Sequence, residues 1–391
     1  MNWSLYALLS LMMGLQYAVW GAWSPVLAAR LLGPLKFNGK QTGWIYGTLP
    51  LACIFAPLIS GQIADKYLNT EHILAACHVA GAVLMFVAAR QEAFPGLLAV
   101  MLGYAVFYAA TLPLVNSLMF AHVTPESGIN VGHVFMWAPI AWALAGYALT
   151  AWRWKFKTGD RGVDCMYFSA ILSVAMAAVC LALPATPPAN QGAAPILDAM
   201  AMLKEGRFLV FVIVSMAVAG MMQFYFLGTA PYLQRIGVAS RSIPAIMAFA
   251  QAVQAAATFV ALGPAVEKLG YKWTLVLGAA CWAALYGLYV ATSSRAILVP
   301  AQALHGLAYV FFIIAGQMLA NTMASDAIRS SMQSLIFAAT TGVGLFLGTQ
   351  LAGAVMDRFK TTDGFDWRRV FAVPFAVCAA AILIFVVTFR A

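Results

Sequence analysis

The stretch "TGWIYGTLPLACIFAPLISGQIADK", residues 42–66, runs an uncharged, mostly apolar segment straight into an acid–base pair, Asp65–Lys66. A segment of that length is about what a helix needs to cross the hydrocarbon core of a bilayer. The rest of the chain follows suit: 63% of its 391 residues are hydrophobic, 9% are charged, and the mean hydropathy is +0.86. No water-soluble fold hides that much apolar surface. The chain reads as an all-α integral membrane protein, solvated by lipid, whose spanning helices satisfy their own backbone groups.

Composition also excludes several functions. The net charge of +9 comes without a Lys/Arg block or a nucleic-acid motif, so it reads as topology signal and headgroup contact, and no nucleic acid is expected. The six cysteines (Cys53, Cys77, Cys165, Cys180, Cys281, Cys378) are scattered, which points to packing rather than to metal or disulfides. No P-loop, nucleophile–base set or metal-ligand set stands out, so neither an enzyme nor a cofactor is expected. The N-terminal "MNWSLYALLSLMMGLQYAVWGAW" lacks a basic n-region and reads as a retained first span.

Apolar runs between charged or Pro/Gly-rich breaks predict twelve spans near 4–29, 41–63, 72–90, 95–120, 131–152, 164–184, 207–233, 243–265, 272–292, 296–322, 330–355 and 368–389. The longest break follows the sixth and divides the chain into a six-helix bundle over 1–184, a linker over 185–206 and a second six-helix bundle over 207–391. An echo supports the division. "GQIADK" (61–66) follows the second span, and "GPAVEK" (263–268) follows the eighth. A third relative, "GAVMDR" (353–358), ends the eleventh. Repeated halves are a common construction of secondary transporters, with a solute site near the midplane. The repeat makes Gly61, Asp65, Lys66, Gly263, Glu267, Lys268 and Asp357 gating residues: the glycines allow close helix approach, and the acids can meet a helix N-terminus or a basic partner.

All 13 acidic residues fall in breaks or at span ends, so the intramembrane carboxylate that usually marks ion coupling is missing. Mid-span polarity comes instead from Gln16, Asn116, Gln223, Gln251, Gln254, His305 and Gln317. Gln251 and Gln254 share a helix face, as do His305 and Tyr309. Amides among aromatic rings suit a neutral, hydrogen-bonding, partly flat solute. The competing reading is that such residues tie helices together, and His78 in particular reads as a packing histidine.

Several blocks carry a family likeness: "LQYAVWGAW" (15–23), "IADKYLNTEHILAACHVAGAVLMF" (63–86), "TLPLVNS" (111–117), "SMAVAGMMQF" (215–224), "AFAQAVQ" (248–254) and "HGLAYVFF" (305–312). With the "GQIADK" loop, they make a chain that resembles the major facilitator superfamily and, within it, the bacterial nucleoside:proton symporters. The resemblance implies two six-helix bundles working by alternating access on a nucleoside, with protons and the lipid bilayer as the other partners and a monomer as the unit. It places Gln223 and Gln251 on nucleoside-binding amides, Gln254 on an acid, Tyr309 and Trp142 on site aromatics, and His305 on a tyrosine. Phe135 stands for an arginine, Pro139 for a threonine, Phe226 for an asparagine and Val310 for an acid. These changes remove charge from the cavity. They leave His305 as the candidate proton-coupling group, against uncoupled facilitated diffusion.

The resemblance also puts the "GQIADK" loop, the central linker and both termini in the cytoplasm of a cell with this protein in its inner membrane. The basic residues argue otherwise. In that orientation only Lys66, Lys204, Arg207, Lys268, Lys272, Arg329 and Arg390 of the 22 Lys and Arg face inward, against the positive-inside rule. The outer excess lies mostly in "RWKFKTGDR" and "DRFKTTDGFDWRR", whose own acids favour compact folding. A carrier of nucleosides or related uncharged ring-bearing solutes is therefore expected, with a non-transporting sensor or scaffold, or a carrier of another neutral solute such as a sugar, as alternatives.

Overall fold

The computed structural model describes residues 2–188, 200, 202–323, 332 and 335–389. The side chains of Asp65 and Pro125 lie outside the described set, as does most of the predicted linker. Among the described residues, eleven helices are long and apolar enough to cross a membrane. In order they are Trp3–Leu32, Gly39–Ala64, Thr70–Ala89, Phe94–His122, Val131–Phe156, Gly206–Arg235, Ser240–Val260, Leu262–Ala291, Arg295–Met323, Leu335–Arg358 and Trp367–Thr388. The shorter apolar helix Asp164–Cys180 takes the sixth place in the chain. The spans below are numbered one to twelve on this basis.

Two motifs depart from the sequence reading. The ninth span begins at Leu262, so "GPAVEK" is helical, and "GQIADK" is the last part of the helix Gly39–Lys66 rather than a loop. The break falls at Gly270, whose φ of 72° takes a left-handed turn that a side chain would oppose.

The helices start where short polar side chains take up their free N–H groups. Asn2 accepts from Leu5 N, Asn130 from Gly132 N and Asp366 from Arg369 N. At the second span, Asn38 and Gln41 cap each other reciprocally, with Gln41 N donating to Asn38 Oδ1 at 2.8 Å and Asn38 N to Gln41 Oε1 at 3.0 Å.

The chain gathers into two compact units. The first comprises Met1–Phe37, Leu51–Gly192 and Ala239–Ala248. Within it, span three packs on spans four and six, and span one on spans five and six, around Leu9, Met13, Leu74, Leu118 and Met176. The second comprises Asn38–Pro50, Ala193–Val238 and Phe249–Ala391. There span nine packs on span twelve, and span seven on spans eleven and twelve. The continuous helix Gly39–Lys66 thus contributes its first turns to one unit and the remainder to the other.

Both polar loops singled out by their mixed charge are folded. In the first, Arg153 holds Asp164 bidentately, at 2.8 Å from Nε and 2.7 Å from Nη2, with both side chains buried. Thr158 and the Cys165 N–H also donate to that carboxylate. In the second, Lys360–Thr361 pairs antiparallel with Gly364–Phe365 before Asp366 starts the last helix. Removing one partner of a buried pair strands the other charge. Asp164→Ala should therefore lower unfolding free energy by about 3–5 kcal/mol, read from a denaturant titration in detergent, while Asp366→Ala, at an exposed pair, should cost about 1 kcal/mol as a lost cap.

Candidate solute site

The second unit assembles most of the polar residues that the sequence marks. His305 in span ten is its centre. The Tyr225 ring of span seven stacks on the imidazole with centroids 3.7 Å apart and planes 12° from parallel. Phe226 meets the same ring edge-on at 5.8 Å. Trp282 of span nine donates its Nε1–H to His305 Nδ1 at 3.2 Å. The next residue, Gly306, lies against the backbone of Ala250 and Gln254 in span eight, so close that a methyl group there would strike the Ala250 carbonyl. A bare backbone at 306 is what lets spans eight and ten meet, and it brings the Gln251–Gln254 stretch alongside His305.

This cluster contains polar atoms with nothing to bond. His305 Nε2, Tyr225 OH and Gln254 Oε1 are buried and have no hydrogen-bond partner among the described residues. Leaving such a group unpaired costs about 1–3 kcal/mol each. The side chains of Gln223 and Gln251, one helical turn from Phe226 and Gln254 respectively, are also buried and form no hydrogen bond among the described residues. Tyr309 is half-buried and opens a π-helical segment, Tyr309–Ile314, with a second such segment at Ala338–Gly344 in span eleven. Widened turns of this kind occur often at functional positions.

The first unit holds the other expected residues in a different condition. Gln16 is fully engaged. Its Nε2 donates to Thr111 Oγ1 at 2.7 Å, its Oε1 accepts from His78 Nε2 at 2.9 Å, and its carbonyl accepts from Tyr108 OH at 2.6 Å. The amide expected at the solute site is thus spent on joining spans one, three and four. Because Gln16 Oε1 can only accept, His78 must be the donor. Trp142 packs beside Trp20 at 5.0 Å and borders a small cleft with Gly21, Pro25, Gly146 and Pro244. Phe135 leans on Phe120 at 6.1 Å against the apolar cluster, and Pro139 lies half-buried four residues further on.

The residues expected to gate lie toward opposite ends of the second span and on spans nine and eleven. At the start of the second span, Asp357 accepts from Gly39 N at 2.6 Å with one carboxylate oxygen and from Lys40 N at 2.9 Å with the other. Beneath this cap the helix crosses span eleven backbone to backbone, Gly39 against Gly353 and Gly43 against Thr349. At the far end, Gly61 has open space where a side chain would begin, and so does Gly263 in span nine. Lys66, Glu267 and Lys268 are exposed, and the Asp65 side chain lies outside the described residues.

Sequence reasoning missed Tyr225 and Trp282. Tyr225 sits in an aromatic pair with Phe226, but nothing in spacing ties Trp282 to a histidine 23 residues later. Among the described residues, no group of three or more His, Cys, Asp or Glu side chains is placed to hold a metal.

Comparison with known proteins matches the chain to the family model described as nucleoside H+ symporter, over residues 2–391. The putative nucleoside transporter YegT of Escherichia coli (strain K12) is 28% identical over 98% of this chain and 93% of its own. The nucleoside permease NupG of the same organism is 26% identical over 92% of this chain and 90% of its own. A crystal structure of the nucleoside transporter NupG superimposes with a TM-score of 0.90 at 24% identity, covering 99% of this chain and all of that one, and so shares the fold. With its apolar helices arranged as in that carrier and its whole length matched by the family model, the chain is a multi-pass membrane transporter that belongs to the nucleoside H+ symporter family.

Proposed function

We propose that the protein carries nucleosides across the cytoplasmic membrane by alternating access, as a monomer, with protons as the coupling ion. The observation that carries the reading is the unsatisfied polar cluster on spans seven, eight and ten. His305 Nε2, Tyr225 OH and Gln254 Oε1 lack partners among the described residues, and the buried Gln223 and Gln251 side chains form no hydrogen bond there. A solute with a flat heterocycle and a ring of hydroxyls supplies both the stacking face and the hydrogen bonds this cluster lacks. YegT, NupG and a xanthosine permease of E. coli, 25% identical, bear nucleoside names. A sensor or scaffold role is not favoured, because the matching family is one of carriers.

Gating follows from the two ends of the second span. Its 28 residues reach about 40 Å at 1.5 Å per residue, the depth of a bilayer with its headgroups. Asp357 latches one end. The motif Gly61–Asp65–Lys66, with its counterpart Gly263–Glu267–Lys268, serves the opposite, cytoplasmic end. The folded state of both mixed-charge loops supports placing them outside and both termini inside.

Uptake into proteoliposomes of radiolabelled uridine and inosine, with and without an inward proton gradient, tests the reading; no uptake of either nucleoside refutes it. Gln251→Ala should weaken nucleoside affinity about tenfold, about 1.4 kcal/mol, with melting unchanged. Gln16→Ala should instead cost about 1–3 kcal/mol of stability. Asp357→Asn removes a charge-assisted acceptor from two N–H groups. It should raise the labelling rate of a cysteine placed at Lys40 about fivefold, near 1 kcal/mol, and Asp65→Asn should slow uptake more than it weakens binding.

A further inference from the structure

Building on the nucleoside reading, we infer that His305 is a neutral imidazole held as the Nε2–H tautomer, acting as a fixed hydrogen-bond donor to the solute and not as the proton carrier. An indole N–H can only donate. With Trp282 Nε1 at 3.2 Å from Nδ1, that nitrogen presents its lone pair and the ring proton sits on Nε2. Turning the ring over would aim the indole at a C–H. The parallel Tyr225 face and the Phe226 edge hold the plane as well.

Charging this ring would put a second proton on Nδ1 and drive it against the Trp282 N–H. Nothing close by would repay that. The groups seen against the ring are Tyr225 and Phe226 from span seven and Trp282 from span nine, while span eight brings the backbone of Ala250 and Gln254 against the adjoining Gly306. Of these only the Tyr225 hydroxyl titrates. The charged residues of the same spans, Arg207, Arg235, Arg241, Glu267, Lys268, Lys272 and Arg295, lie at least two helical turns from these contacts. His305 itself has no exposed surface.

The remaining N–H at Nε2 is buried with no partner among the described residues, and in this tautomer it can meet only an acceptor. The solute must therefore offer a lone pair at that point, from a ring nitrogen, a carbonyl or a hydroxyl oxygen. A solute presenting only N–H there is rejected, because two donors would face each other at a buried point.

Ring-nitrogen NMR of protein labelled at histidine reads the tautomer directly. The resonances lost in His305→Gln should show one protonated and one unprotonated nitrogen throughout about pH 5 to 8. An imidazolium in that range, or a proton on Nδ1, overturns the inference. Nucleoside binding and gradient-driven uptake supply the second arm. His305→Leu should weaken binding at least about tenfold. His305→Gln, which keeps an N–H near the same place, should recover most of that loss and still respond to the proton gradient. A Gln variant that binds normally but ignores the gradient returns His305 to proton transfer, and a Leu variant that binds normally removes it from recognition. If the wild type binds no nucleoside, the transport reading falls; the nitrogen shifts, measured without solute, tell that failure apart from a wrong tautomer.

Discussion

A polar group within hydrocarbon has no water to fall back on, and each such group in this protein has to be paired, capped or held for a purpose. Most are paired in unspectacular ways. Ser60 donates to the Ala110 carbonyl and Ser169 to the Val19 carbonyl, each tying two spans. Gln302 gives its amide to Tyr289 and to the Leu298 carbonyl. Gln16, His78 and Thr111 form a closed set. Against that background, three of the eight buried side-chain atoms without a partner among the described residues fall on spans seven, eight and ten, and that grouping is the reason to read a solute site there.

Charge follows the same economy. With no acid in mid-span, the carboxylates and guanidinium groups work at the helix ends, where they fasten backbone. Arg30 reaches the Arg161, Ala89 and Gln91 carbonyls. Glu71 accepts from Asn69 and from the Thr186 N–H, and so fixes the chain just beyond the sixth span. Arg153 and Asp164 close one loop. The unpaired polar side chains of the second unit are left among dipoles and rings, an environment suited to a neutral solute because it avoids the desolvation cost of a buried ion.

Much of the fold was legible because a spanning helix announces itself by length and apolarity, and breaks between spans are marked by charged residues or proline. "GPAVEK" misled because Gly, Pro and two charges look like a loop, whereas the helix turns at Gly270. The candidate site was legible in part. Gln223, Gln251, Gln254 and His305 stood out as polar residues in apolar runs. What a sequence does not carry is which amide already has a partner. Gln16 and Gln251 look alike in one dimension and differ only because Thr111 and His78 reach the first. The π-helical segments were equally invisible, since Tyr309–Ile314 and Ala338–Gly344 contain no residue that marks a widened turn.

The cap on the second span has a consequence for solvent. Asp357, Asn38 and Gln41 between them occupy the first free N–H groups of that helix with protein atoms, over a glycine crossing too tight to admit anything else. When the helix start leaves Asp357, the carboxylate and the two amides it held must each be rehydrated. On the gating reading proposed above, opening that end would be an uptake of water as well as a movement of helices, and the balance between the carrier's states would depend on osmotic pressure.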